Sequence, residues 1–287
     1  MTLGGRIAVL FFFLGALGCS QDETNNEDNS ATATDGLVLF VQEQSIEPRP
    51  IESVRGLSAK ILREDQKSGA LAVKTDIAAG WRDPRVGRHA GPFEIYVLEG
   101  TVSLGPIDLS AGDFVRIPRR AIYGPMESGS GAELLWFFDG PADFETSQST
   151  TVYTASWTVA RDAETPWVEA LVAREAGVEL DLEVKNLRND PSTGARTFLV
   201  RAGEGVVVPW ETHPVSEEGY LLDGEHRLEE CLPSGLQAGT YQPGGYFFRP
   251  PDLMHMGPGS TYEESVTWLI RTPGKLVDVF YDNCPYE

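Results

Sequence analysis

The sequence predicts an all-β protein from runs of strand-forming residues, from the glycines and prolines between them, and from an internal repeat. Runs rich in β-branched, aromatic and other apolar residues occur at 70–77, 93–99, 134–138, 196–201 and 266–270, and such runs are typical of strands. Glycine and proline contribute 30 and 19 of the 287 residues and separate the runs. Their spacing of roughly 8–12 residues is typical of β-sandwiches and barrels.

The repeat shows that one domain occurs twice. Leu62-Arg-Glu-Asp-Gln-Lys-Ser-Gly69 matches Leu187-Arg-Asn-Asp-Pro-Ser-Thr-Gly194. Further matched positions follow in the same order: His89 and His213, Gly100 and Gly224, Gly112 and Gly244, Tyr123 and His255, Trp136 and Trp268. The second copy is longer between its two glycines, which predicts a longer hairpin near Cys231. We therefore predict two tandem barrels, residues 37–146 and 147–287.

Composition limits the partners of the chain. Its net charge of −20 excludes nucleic acid, since phosphate contacts need lysine and arginine. The hydrophobic share of 41% is enough to fill two cores. Helical signal is confined to residues 166–176, at one or two turns.

The N-terminus has the pattern of an export signal. Arg6 precedes an apolar run at residues 7–17, which is too short to span a bilayer as a helix. Ala16-Leu17-Gly18-Cys19 resembles the lipobox of bacterial lipoproteins, which implies a signal peptide at residues 1–18 and a lipid on Cys19. Ser20 then favours sorting to the outer membrane, so we expect an exported protein anchored on the periplasmic face of that membrane. The alternative is an ordinary secretory signal with a chance cysteine.

Residues 19–36 carry acidic groups and almost no large apolar side chains, so we interpret them as a flexible tether.

Two further cysteines, Cys231 and Cys284, occur in the second half. In an exported protein a disulfide between them is the default expectation. Two separate buried thiols are the alternative.

The concentrated chemistry also lies in the second half. His213 is followed four residues later by Glu217, and a second histidine, His255, follows the run from Gly244 to Pro250. Two imidazoles and a carboxylate from separate strands can hold a divalent metal and leave coordination positions open.

These two stretches resemble the motifs of the cupin family, whose fold is a double-sheet jelly roll, also called a double-stranded β-helix. The first cupin motif contains His-x-His, three or four residues, Glu, six residues and Gly. The second motif runs Gly, five residues, Pro-x-Gly, two residues, His; here Asp252 replaces its second glycine. The Leu-Arg-x-Asp-x-x-x-Gly sequence before each copy resembles ChrR-type anti-sigma cupins. The resemblance covers about residues 40–287 and implies two tandem cupin barrels.

The ligand set implied by the resemblance is His213, Glu217 and His255. Glu211 replaces the first histidine of the motif; it faces the same side as His213, as a fourth ligand or as a rim carboxylate. Glu218 competes with Glu217, and the motif spacing favours Glu217. Sequence alone leaves both questions open.

In the first half, the corresponding positions hold Gly87, His89, Phe93 and Tyr123, while Glu94 lies one residue out of register. One imidazole and a phenol do not hold a metal firmly. We therefore expect a metal-free scaffold barrel, or an apolar pocket.

Nitrogen and oxygen ligands suit one divalent zinc, iron, manganese or nickel ion. Since the imidazoles must be neutral to bind, ordinary histidine pKa values predict that the ion is lost below about pH 6.

The resemblance implies a small-molecule binding or sensing protein of the ChrR-like type, or alternatively a metal-dependent dioxygenase, isomerase or decarboxylase. A purely structural lipoprotein is the third hypothesis. Catalytic residues are not identifiable, and homo-oligomerisation is left open.

The lipid anchor gives the first testable prediction. A Cys19→Ser variant should move from the membrane fraction to the soluble periplasmic fraction, because no acyl chain can then be attached. Immunoblots of fractionated cells would measure this. Wild-type protein that is soluble in the periplasm without detergent would contradict the prediction.

Overall fold

The computed structural model describes residues 36–51, 57–149, 151–170 and 180–287, and these are almost entirely β. The predicted lipidation site Cys19, the predicted signal peptide and all but the last residue of the predicted tether lie outside the described residues. Within the described ranges, no helix is long and apolar enough to span a membrane. Of the stretch expected to be helical, residues 171–176 also lie outside, and Val168–Glu169 form a strand instead.

The strands of the first half are β1 (Val38–Gln42), β2 (Arg49–Pro50), β3 (Ser58–Glu64), β4 (Leu71–Ile77), β5 (Trp81–Asp83), β6 (Gly87–His89), β7 (Phe93–Leu104), β8 (Ile107–Ser110), β9 (Phe114–Ile117), β10 (Met126–Ser128), β11 (Ala132–Phe138) and β12 (Phe144–Thr146). Those of the second half are β13 (Thr158–Ala160), β14 (Val168–Glu169), β15 (Leu182–Asn189), β16 (Arg196–Ala202), β17 (Trp210–Thr212), β18 (Glu217–Asp223), β19 (His226–Leu232), β20 (Gly235–Tyr241), β21 (Gly245–Arg249), β22 (Met254–His255), β23 (Thr261–Tyr262), β24 (Val266–Thr272) and β25 (Val279–Tyr281). Short 3-10 helices occupy Glu43–Ser45 and Asp162–Glu164.

Two large antiparallel sheets have the same order of equivalent strands. One contains the path β13-β9-β7-β11-β4-β3-β2, and the other runs β1-β21-β18-β24-β16-β15-β14. Smaller groups of strands complete each half, chiefly β20-β19-β22-β17-β25 in the second. The predicted all-β architecture of two jelly-roll barrels is thus confirmed.

The two halves exchange their first strands. Val38 of β1 pairs with Phe248 of β21, and Ala160 of β13 pairs with Phe114 of β9. Each exchanged strand covers what would otherwise be the open edge of the opposite sheet. The domain limits 37–146 and 147–287 stay a prediction, but these pairings connect each half to the sheet of the other.

Continuous apolar strands are explained by burial on both faces. In β11, Leu134, Trp136 and Phe138 point into the core of the first barrel. Leu135 and Phe137 point the other way, into a cluster shared with residues of the second barrel. Because alternate residues of a strand face opposite sides, the outer faces of the two large sheets pack against each other.

Cys231 of β19 and Cys284 form a disulfide, with Cα atoms 5.7 Å apart. The pair is buried beside Trp210, next to the strand that carries Glu211. The predicted pairing is confirmed.

The disulfide should stabilise the fold by limiting the freedom of the unfolded chain. It closes a loop with a sequence separation of 53 residues, for which we expect about 2–4 kcal/mol. Urea denaturation of a Cys231→Ser/Cys284→Ser protein would measure the loss. An unchanged free energy of unfolding would contradict it.

Candidate metal centre

Three potential ligands converge at one end of the second barrel. Glu211 of β17 lies directly opposite His255 of β22 in the antiparallel pair. His213 follows two residues after Glu211, so its side chain leaves the extended backbone on the same side. Strand pairing and strand alternation therefore bring together residues far apart in sequence.

The distances fit a shared cation. Glu211 Oε1 lies 3.5 Å from His255 Nε2 and 3.9 Å from His213 Nε2. One potential ligand atom from each residue lies within 4.8 Å of the others, and all three side chains are buried. Two ligands of one metal are about 3.0–3.4 Å apart when their bonds are about 2.0–2.1 Å long. A small inward movement would complete the coordination.

Neighbouring groups orient both imidazoles. His255 Nδ1 donates to the Leu253 carbonyl at 3.0 Å, which leaves the lone pair of Nε2 facing the carboxylates. His213 Nδ1 lies 3.1 Å from Asp278 Oδ1, an ion-pair distance without hydrogen-bond alignment. Such outer contacts fix the ring positions of metal-binding histidines. Asp278 belongs to no motif, so sequence reasoning had no signal for it.

Glu217 lies beside the triad but is already held by a cation. Its Oε2 is 3.6 Å from His255 Nε2 and 2.7 Å from Arg249 Nη1. Arg249 also donates to Glu230, at 3.0 Å from Nε and 2.7 Å from Nη2. Glu211 therefore occupies the carboxylate position of the triad, while Glu217 is an ion-paired neighbour.

Glu218 points to the opposite face of β18. It accepts hydrogen bonds from Tyr246 and Arg271 between the barrels. Adjacent strand residues face opposite sides, so Glu218 is directed away from the triad and Glu217 toward it.

The electrostatics of the triad favour an added cation. Burial raises the pKa of Glu211 to about 8. Burial opposes a charge on His213, but Asp278, Glu217 and Glu211 together raise its pKa to about 9. Burial and then Arg249 lower the pKa of His255 well below its usual value, so that ring is neutral. A metal would replace the protons that His213 and Glu211 otherwise hold.

The equivalent place in the first barrel is filled by aromatic rings. His89 Nδ1 donates to the Asp143 carbonyl at 2.7 Å, so Nε2 accepts from the Tyr123 hydroxyl, also at 2.7 Å. Gly87 stands where the second barrel has Glu211, and a Cβ there would come within 2.5 Å of the Phe144 ring. Burial lowers the pKa of His89 to about 4. This histidine is satisfied by protein groups.

A cavity of about 360 Å³ adjoins the triad inside the second barrel. Glu211, His213 and Glu217 form part of its wall, and the alternate residues of the large sheet form much of the rest. Such a volume is typical of small-molecule sites.

Comparison with solved structures finds this fold in proteins of low sequence identity. A protein from Nostoc punctiforme PCC 73102, described as a candidate dioxygenase, matches with TM-score 0.67 and 19% identity, over 85% of this chain and 86% of that chain. A point mutant of Bacillus subtilis oxalate decarboxylase matches with TM-score 0.60 and 15% identity, over 85% and 79%. The formate complex of Lactobacillus farciminis oxalate decarboxylase gives 0.59 and 12%, over 85% and 88%. These likenesses show the cupin fold.

No curated protein matches the chain in sequence. A family model described as a domain of unknown function, DUF4437, matches residues 38–279, which include both barrels and the triad. The chain is therefore a cupin-fold protein and a member of the DUF4437 family.

Proposed function

We propose that the protein is an exported, metal-dependent cupin enzyme of the dioxygenase type that acts on a small organic molecule. The observation that carries the proposal is a buried set of two histidines and one carboxylate beside a cavity. Non-haem iron oxygenases use this ligand set with open positions.

Glu211, His213 and His255 would hold the metal, which would supply Lewis acidity or oxygen chemistry at its open positions. Asp278 and the Leu253 carbonyl orient the two rings. Arg249 keeps the pKa of Glu217 low despite burial, so this carboxylate stays ionised at the edge of the cavity.

Small-molecule binding or sensing without turnover, of the ChrR-like type, is the second candidate. Its sequence support is the repeated Leu-Arg-x-Asp-x-x-x-Gly stretch. The two arginines of that stretch have structural partners: Arg63 stacks on Phe248 at 3.6 Å, and Arg188 bonds Glu94 at 3.2 Å. They contribute to the contact between the barrels, so the stretch does not by itself favour sensing.

Export and lipid anchoring at Cys19 are part of the proposal. The Cys231–Cys284 disulfide supports it, because disulfides persist in oxidising compartments. The proposed location is the periplasmic face of the outer membrane, and the proposed partner is a small organic molecule.

Oxygen uptake tests the enzyme proposal directly. Anaerobically purified protein loaded with Fe(II) would be mixed with candidate substrates, and oxygen consumption and products would be followed. Turnover that disappears in a His255→Ala protein supports the enzyme. Bound metal and bound ligand without turnover would support the second candidate instead.

Metal content should depend on His255 and not on His89. His255→Ala removes one of three converging ligands and should reduce metal content per chain by more than half. His89→Ala changes the matching position of the first barrel and should leave metal content unchanged. Elemental analysis would measure both, with circular dichroism to verify folding. Equal loss in both variants, or none in either, would contradict the assignment.

Glu211 and Glu217 should differ in how much each contributes to metal affinity. Glu211→Gln should weaken Zn²⁺ binding by at least about tenfold, since it removes a charged ligand. Glu217→Gln should weaken it less, because Arg249 already occupies that carboxylate. Competition with a chromophoric chelator measures both affinities. The reverse order would show that Glu217 is the ligand.

Metal affinity should increase with pH up to about 9. Below the raised pKa values of His213, about 9, and Glu211, about 8, protons compete with the metal. The competition therefore extends well above the pH of about 6 that ordinary histidine pKa values predict. Chelator competition at pH 6, 7, 8 and 9 should show about one to two protons released per ion. An affinity that is constant between pH 7 and 9 would contradict this.

A further inference from the structure

The cavity beside the triad has an apolar wall that belongs to the sheet itself. Phe198 and Val200 of β16 and Trp268 of β24 face it, with Leu228 of β19 and Phe247 of β21. Phe198 and Val200 are two residues apart, as expected for side chains on one face of a strand. A ligand body that fills this space is in contact mainly with hydrocarbon.

Arg249, the cation that contacts Glu217 beside the triad, is already paired. Arg249 is 2% exposed, and its Nε and Nη2 donate to Glu230 while Nη1 donates to Glu217. These two carboxylates already balance the charge of Arg249, so a ligand carboxylate gains little net attraction there unless it displaces one of them. Leaving a buried carboxylate unpaired is strongly unfavourable.

The charge around the triad also disfavours a dianion. Four carboxylates, those of Glu211, Glu217, Glu230 and Asp278, lie around the guanidinium of Arg249 and the two triad histidines. The other charged residues that line the cavity, Arg196 and Glu169, are opposite in sign and add no net charge. One divalent metal compensates most of this negative charge and leaves no positive excess. A doubly charged ligand would add repulsion in a poorly screened interior.

We propose that the cavity takes an uncharged or singly charged organic molecule with an apolar body and one oxygen-bearing end directed at the metal. This names a substrate class for the proposed function and rests on that function for the metal contact only. It excludes small dianions such as oxalate, on which some of the structural neighbours act.

A chain-length series tests the proposal. Butanoate, hexanoate and octanoate would be titrated into the whole Zn²⁺-loaded protein by calorimetry. Each added methylene should strengthen binding about three- to fourfold while the apolar wall is being covered. Oxalate should bind more weakly than octanoate. An affinity independent of chain length, or oxalate binding more tightly than octanoate, would overturn the proposal.

Two neighbouring valines provide matched variants. Val208 lines the cavity and is 3% exposed, whereas Val207 is 56% exposed. Val208→Phe fills the cavity and should weaken octanoate binding at least tenfold with metal content unchanged. Val207→Phe adds the same bulk outside and should have no effect on either quantity. Equal octanoate binding in both variants would overturn the proposal.

The two proposals fail in different ways. Protein that binds no metal but keeps the chain-length dependence and the Val208→Phe effect would remove the proposed metal chemistry and keep the apolar substrate class. Protein that binds metal at the triad but shows no chain-length dependence would keep the proposed metal chemistry and remove the apolar substrate class.

Discussion

Glu94, a carboxylate with no exposed surface, connects the two barrels. Arg116 of the first half donates to it at 2.9 Å, and Arg188 and Arg271 of the second half donate at 3.2 and 2.7 Å. A buried carboxylate without partners would cost several kcal/mol, so the arginines of both halves stabilise Glu94 where the barrels meet. The exchange of strands β1 and β13 gives the same connection through the backbone. The position of the second barrel, and of its cavity, depends on this contact.

The two barrels show how one fold can hold either a cluster of potential metal ligands or a packed aromatic core at the same place. Where the second barrel has Glu211, Glu217 and His255, the first has Gly87, Phe93 and Tyr123. Phe93, Tyr123 and neighbouring rings pack around His89, and their centroids lie 4.9 and 5.5 Å from that of His89. In the first barrel, ring packing holds together the end that in the second barrel carries the candidate triad. Loss of ligands therefore need not destabilise the domain.

Much of the fold could be predicted from sequence because the evidence is local and repeated. Runs of β-branched and aromatic residues, the glycines and prolines between them, and two copies of the same spacing predicted strands and two barrels without any long-range information. Motif spacing also predicted His213 and His255 as ligands, and the structure places both in the candidate triad. The carboxylate was harder, because Glu211 and Glu217 both face the triad and only the position of Arg249 distinguishes them. Asp278 and the strand exchange had no local signal, since each depends on contacts between residues distant in the chain.

Because alternate strand residues face opposite sides, the residues that connect the two barrels are separate from those that line the barrel interiors. At equivalent positions of β7 and β18, Glu94 and Glu218 face outward, and both bind Arg271. Their neighbours Phe93 and Glu217 face inward, Phe93 into the aromatic core of the first barrel and Glu217 into the cavity beside the triad of the second. A substitution at the inward position changes the interior of a barrel without altering the outward carboxylate that joins it to its partner. For this reason the interior of one barrel can become a packed scaffold while the other retains charged ligands, and the assembly of the two is preserved.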